Sequence, residues 1–240
     1  MHLGVLHCGH LPDEIMEQHG PYRDIFARFF EGRGWRMTSW DVVDLDFPGS
    51  VHHADAWLLT GSRHGAYEEH DFIAPLEDFI RDAAAEDRPM LGICFGHQII
   101  AQALGARVEK FAGGWELGRK VYAIDGLGEI PLNAWHQDQV LEVPEGAEVV
   151  ASTEGCAIAA LAYGESILTI QPHPEFSPEI TAELIRIRGH EPTYPRDRVS
   201  AATDNLRHPV DSTPIAAWMG VFLERAVAAS APNLRRRGRD

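Results

Sequence analysis

What most limits the fold is an alternation, along the first half of the chain, of short apolar runs with segments of helical spacing. The run from Leu3 to Cys8 is largely apolar and stops at Gly9. In "YRDIFARFFEGRGW", Ile25, Phe26, Phe29 and Phe30 recur on one helical face, and Gly32 and Gly34 close the segment. "WRMTSWDVV" and "AWLLTGS" read as strands, "PLEDFIRDAAAED" as a helix, Met90–Cys94 as a strand and "HQIIAQAL" as a helix. Strands apolar on both faces need cover on both faces, and helices crossing between parallel strands supply it. The expected fold is α/β, with three layers (helix, sheet, helix) around a mostly parallel central sheet.

Between Arg107 and Tyr163 the pattern changes. "RVEKF", "LGRKVYAI", "PLNAWH", "AEVVAST" and "CAIAALAY" are short β-like runs separated by Gly, Pro and Asn, as in antiparallel strands added to a sheet. "ILTIQ" then reads as a buried strand. "SPEITAELIRIR" follows as a helix with Ser177 as its N-cap. From His190 to about Pro214 the chain is polar and proline-rich, which predicts a lid or flexible loop without regular structure. "TPIAAWMGVFLERAVAA" closes the pattern as an amphipathic helix with Ile215, Trp218, Phe222 and Leu223 inward. No linker interrupts the chain, so one domain is expected over 1–240, with a frayed tail at about 232–240.

Charge removes several functions. Asp plus Glu number 36 against 21 Lys plus Arg, a formal net charge of −15. A nucleic-acid binder needs a basic footprint, and the one basic run here, "LRRRGR", lies in the terminal tail. No apolar run approaches the ~20 residues that span a bilayer. The opening "MHLGVLHCGH" lacks the basic start of a secretory leader. Three cysteines far apart make no disulfide framework, so the expected setting is reducing and cytoplasmic. No metal site is expected, because "CGH" at 8–10 and "VHH" at 51–53 have no second half at zinc-like spacing.

Gly92-Ile93-Cys94-Phe95-Gly96 has the G-x-nucleophile-x-G pattern of a nucleophile elbow, with a strand before it and a helix after it. Helix N-termini favour the thiolate, the reactive form of a cysteine. Cys8 and Cys156 lack paired flanking glycines and read as inert core residues. A thiolate needs a proton acceptor, and the acceptor needs an orienting group. His173 follows the strand "ILTI", its backbone fixed by Pro172 and Pro174, and Glu175 stands two residues on. Both Cys94 and His173 would emerge at the carboxyl edge of one sheet, where open α/β sheets place their sites.

"GICFGHQ", "WHQDQV" and "QPHPEFS", in this order, resemble the class I glutamine amidotransferase domain. The resemblance spans about Leu3 to Arg188. It implies a flavodoxin-like fold and a Cys94–His173–Glu175 triad acting on the γ-amide of glutamine through a γ-glutamyl thioester. It implies an oxyanion hole from the amide of Phe95 and from the loop holding Gly61 and Ser62. Gln98 is implied in binding the glutamine head, with Trp135, His136 and Gln137 across the pocket. Gly61-Ser62-Arg63 and Trp135-His136-Gln137 depart from the loops of synthetase-linked members and are similar to a free-standing γ-glutamyl peptidase-type branch. The implied partner is therefore a small molecule, glutamine or another γ-glutamyl compound, with no cofactor. A glutaminase would need a separate synthetase or other ammonia acceptor, and a γ-glutamyl hydrolase would need none. A third possibility is an inactive regulatory protein of the same fold. Arg63 and Arg119 are further candidates for binding a substrate carboxylate.

Overall fold

A computed structural model describes residues 1–237, with side chains described as far as Ser230; the tail expected to fray lies outside the residues described to that level. The chain runs β1 (His2–Leu6), α1 (Asp13–His19), α2 (Tyr22–Phe29), β2 (Arg36–Trp40), β3 (Ala56–Leu59), α3 (Ile73–Ala85), β4 (Met90–Ile93) and α4 (Phe95–Ala103). It continues with β5 (Val108–Lys110), β6 (Glu116–Ile124), β7 (Gly128–His136), β8 (Asp138–Val140), β9 (Ala147–Thr153), β10 (Cys156–Tyr163) and β11 (Ile167–Ile170). The last elements are α5 (Pro178–Arg188), α6 (Arg196–Asn205) and α7 (Thr213–Arg237).

One sheet has the order β2-β1-β3-β4-β11-β10-β9-β6-β7, and β5 pairs with β8 apart from it. The first five strands of that order are parallel, the flavodoxin-like arrangement, and the added strands are antiparallel. Alternation along the strands sorts the core into two layers. Leu58, Leu91 and Ile93 point to one face, under Ile15, Phe26, Leu184 and Met219 of α1, α2, α5 and α7. Trp57, Leu59 and Met90 point to the other, under Leu76, Ile80 and Ile99 of α3 and α4. Each such buried side chain contributes about 1.5–3 kcal/mol. A strand covered on both sides, as β4 is, makes a stiff platform for whatever follows it. Gly4 makes room for Trp57 on the neighbouring strand, since a Cβ there would collide with the indole.

Two expectations fail. The 190–214 stretch contains α6, which packs on β6 with Ala202 against Gly118. Its few apolar positions, such as Val199 and Ala202, leave too faint a periodicity to read. On α7 the expected inward face holds: Ile215 and Leu223 are fully buried with Met219, and Trp218 and Phe222 pack half-buried against the same core. The strand at "WRMTSWDVV" also stops early, because Val42–Asp44 turns as a 3-10 helix. Among the described residues no helix is long and apolar enough to cross a membrane.

Candidate active site

Cys94 is the single residue between β4 and α4, with φ 53° and ψ −102°. A side chain in that region costs about 1–3 kcal/mol and persists only where its surroundings enforce it. Here the Cys94 N–H donates to the Ile170 carbonyl at 2.8 Å, and the Cys94 carbonyl accepts from the Gln98 N–H at 3.1 Å. Neither flanking glycine can be replaced freely. A Cβ on Gly92 would lie 2.6 Å from the Gly96 carbonyl oxygen, and one on Gly96 would collide with the Leu59 carbonyl. The sulfur-bearing residue is 4% exposed and lines a cleft of about 300 Å³, so it is reached from the cleft alone.

Parallel pairing of β11 with β4 puts Ile170 beside Ile93, so the chain leaving β11 passes the cysteine. Gln171 donates from Nε2 to the Cys94 sulfur at 3.6 Å. His173 is fixed by its N–H bond to the Asn133 carbonyl of β7 at 2.8 Å. Phe176 stacks on its ring at 4.1 Å, with 3° between the planes. Asn133 Nδ2 in turn donates to the Phe176 carbonyl at 3.0 Å. The His173 Nδ1–H donates to Glu175 Oε1 at 2.7 Å, which leaves Nε2 as the ring nitrogen open to a second partner. Burial alone would lower the His173 pKa. The neighbouring sulfur and the Glu175 carboxylate outweigh burial and raise it, favouring the imidazolium. His173 and Glu175 are 5% and 6% exposed, so their pairing is little screened by water.

The Phe95 amide opens α4 and, as the first residue of the helix, has no intrahelical carbonyl to donate to. Gly61 lies against the histidine, where a Cβ would sit 2.7 Å from His173 Cε1. Ser62 lines the cleft with Cys94. Gln98 is buried; its Nε2 donates to the Asp138 carbonyl at 2.8 Å and to Gln171 Oε1 at 3.1 Å. Trp135, His136 and Gln137 form the facing wall. His136 is buried, and burial, then the nearby His173 charge, lowers its pKa to about 3. It is a neutral imidazole and not a competing base.

Other sequence candidates separate clearly. Arg63 lines the cleft, but Arg119 does not: its Nε donates to the Pro209 carbonyl, and its side chain lies in a different groove. Burial pushes the Cys8 and Cys156 thiols up to about 12, as inert core residues require. His10 pairs with Asp44, and His52 bonds Arg88. Gln171, the donor to the Cys94 sulfur, lies in "QPHPEF" but carries no local signal of that role. Arg188, Glu191 and Tyr194 are cleft residues that no sequence motif marks. Tyr194 packs against Trp115 and Trp135 at 4.6 and 5.3 Å, so the start of the 190–214 stretch is a fixed wall of the cleft. His97 lies behind the elbow, bonded to Thr169 Oγ1 at 2.7 Å. A cluster of His64, Glu68 and His70 near the cleft mouth was also unforeseen.

The family model "Glutamine amidotransferase class-I" matches residues 45–187. A glutamine amidotransferase-like protein of Schizosaccharomyces pombe is 28% identical, over 92% of this chain and 98% of that protein. Gamma-glutamyl peptidase 3 of Arabidopsis thaliana is 30% identical, over 71% of this chain and 75% of that one. The crystal structure of a glutamine amidotransferase from Methylobacillus flagellatus superposes with a TM-score of 0.75 at 20% identity, covering 95% of this chain and 94% of that one. The elbow, the histidine loop and the fold around them thus have one source: the chain belongs to the class I glutamine amidotransferase family.

Proposed function

We propose that the chain is a cysteine-dependent amidohydrolase that cleaves the γ-carboxamide of glutamine or of a related γ-glutamyl compound. What supports this is the hydrogen bond from His173 to Glu175, with the electrostatic influence of the nearby Cys94 on His173, beside a strained elbow. In this reading the Cys94 sulfur attacks the γ-carbonyl carbon, and the thiol proton rests on His173. The tetrahedral oxyanion lies between the amide of Phe95 and the loop of Gly61 and Ser62. As the C–N bond breaks, His173 Nε2 hands its proton to the leaving nitrogen, leaving a γ-glutamyl thioester. His173 then takes a proton from water, whose oxygen attacks the thioester, and glutamate departs as the sulfur is regenerated. Glu175 acts through His173 as a positioning residue. Gln98 and the 135–137 wall hold the γ-glutamyl head.

A second reading concerns the leaving group. Three cations, Arg63, Lys110 and Arg188, line the cleft together with three acids, Glu68, Asp138 and Glu191, and among the described residues none of the three cations is in an ion pair. Cations left without an ion pair in a chain of net charge −15 are available to bind an anionic leaving group. A γ-glutamyl peptide supplies one in its C-terminal carboxylate, and ammonia does not. The test is hydrolysis by the purified chain of glutamine and of γ-glutamyl dipeptides, following glutamate release. Faster turnover of dipeptides makes the chain a self-sufficient hydrolase. Preference for glutamine makes it a glutaminase that needs an ammonia acceptor. Turnover of neither, with no covalent adduct on Cys94, would refute both.

A further inference from the structure

The loop from Gly61 to Phe72, between β3 and α3, carries histidines and a carboxylate that the proposed hydrolysis does not use. One ligand atom each from His64, Glu68 and His70 lies within 4.8 Å of the others. Glu68 Oε2 is 2.9 Å from His70 Nε2 and 3.9 Å from His64 Nδ1. Metal–ligand bonds of about 2.0–2.2 Å at tetrahedral angles separate neighbouring ligand atoms by roughly 3.4 Å. The cluster brackets that spacing, so small side-chain rotations would close it around an ion.

The loop is also held in shape. Gly65 allows the chain to double back, and its N–H donates to Glu68 Oε2 at 3.0 Å. A Cβ there would press on Tyr67, Asp138 and Glu68. Tyr67 OH donates to Asp138 Oδ1 at 3.1 Å, and Gln102 Nε2 donates to the Ala66 carbonyl at 2.7 Å, tying the loop to β8 and α4. Buried Phe72 lies against both imidazoles, 5.8 Å from His64 and 6.0 Å from His70, and contacts Phe95 on its other side.

We propose that His64, Glu68 and His70 bind a zinc-class divalent ion at the mouth of the Cys94 cleft. Two imidazoles and a carboxylate are the ligand set of an open zinc site, with a fourth position left for water or a carboxylate-bearing ligand. His64 and Glu68 line the same cleft as Cys94, so an ion held there would share that cleft with a bound substrate. The inference is independent of the catalytic proposal, because it is read by metal binding and not by turnover.

The test is titration of the chelator-treated, full-length chain with Co²⁺, following the visible absorption of a tetrahedral ion, and then displacement by Zn²⁺. One saturable ion per chain is expected, in wild type and equally in Cys94→Ser, which removes the competing thiol. Glu68→Gln and His70→Gln should each weaken binding by about tenfold or more. Both side chains are substantially exposed, so the variants keep their fold, which far-ultraviolet circular dichroism verifies. Binding lost in Cys94→Ser and retained in His70→Gln would overturn the proposal. So would the absence of any saturable absorption in the micromolar range.

Discussion

Replacing Glu175 with glutamine removes one charge from the relay and little volume. The Glu175 carboxylate is fully buried as a side chain, 2.7 Å from the ring nitrogen of His173. At an effective dielectric of ~20, unit charges at that separation attract by roughly 6 kcal/mol. Desolvation offsets part of this, and losing one partner of a buried pair typically costs about 3–5 kcal/mol. Glutamine keeps an acceptor for Nδ1–H, so about 3–4 kcal/mol of barrier is expected, a fall of roughly 10²–10³ in kcat/KM. The assay is glutamate release from the preferred γ-glutamyl substrate across the pH range. Because Glu175 raises the His173 pKa, Glu175→Gln should also shift the limb of the profile that reports His173 toward lower pH. A purely structural role would lower activity without moving that limb. An E175Q enzyme within about threefold of wild type, under 1 kcal/mol of barrier, would refute the reasoning.

Three further outcomes follow from the same geometry. Because Cys94 holds φ at 53°, Cys94→Gly should be at least as stable as Cys94→Ala in denaturant melts; elsewhere glycine is the worse residue by roughly 0.5–1 kcal/mol, and that ordinary ranking here would contradict strain at the elbow. His97 and His136 are buried neutral with pKa values lowered from 6.5 to about 3, chiefly by burial, so the unfolded chain binds more protons between those values. Their contribution is complete above pH 6.5 and is lost as pH falls toward 3, at up to about 1.4 kcal/mol per pH unit for each histidine, and melts showing no loss from pH 7 to 5 would exclude it. Arg188→Ala should raise KM for γ-glutamyl dipeptides and leave KM for glutamine nearly unchanged, and equal effects on both would remove the argument from leaving-group charge.

The parts of the site that were legible in the sequence are those made by backbone geometry. Gly92 and Gly96 flank Cys94 because neither position has space for a Cβ, and that steric demand is written directly into the spacing. Pro172 and Pro174 likewise mark the fixed loop of His173. Four of the five parallel strands, β1, β3, β4 and β11, were legible because burial on both faces demands apolar runs; β2 is a half-buried edge strand. α6 was not legible, since it touches the sheet through few side chains and its N-cap is Pro195, without a side-chain cap. Tyr194, Arg188 and the His64–Glu68–His70 group were missed for another reason. They gather around the cleft through tertiary packing, and nothing in the local sequence shows which wall a loop residue faces. On α7 the periodicity gave the inward face, with Trp218 and Phe222 half-buried at its edges and Met219 fully buried between them.

The claim on which the rest depends is that Cys94 is the one nucleophilic thiol of the chain, served by His173. Intact-mass measurement after exposure to an electrophilic glutamine analogue addresses it directly, with peptide mapping to locate the adduct. A single adduct on Cys94, absent in Cys94→Ser and formed much more slowly in His173→Ala, is the expected result. An adduct that persists in Cys94→Ser, or that maps to Cys8 or Cys156, would contradict the account.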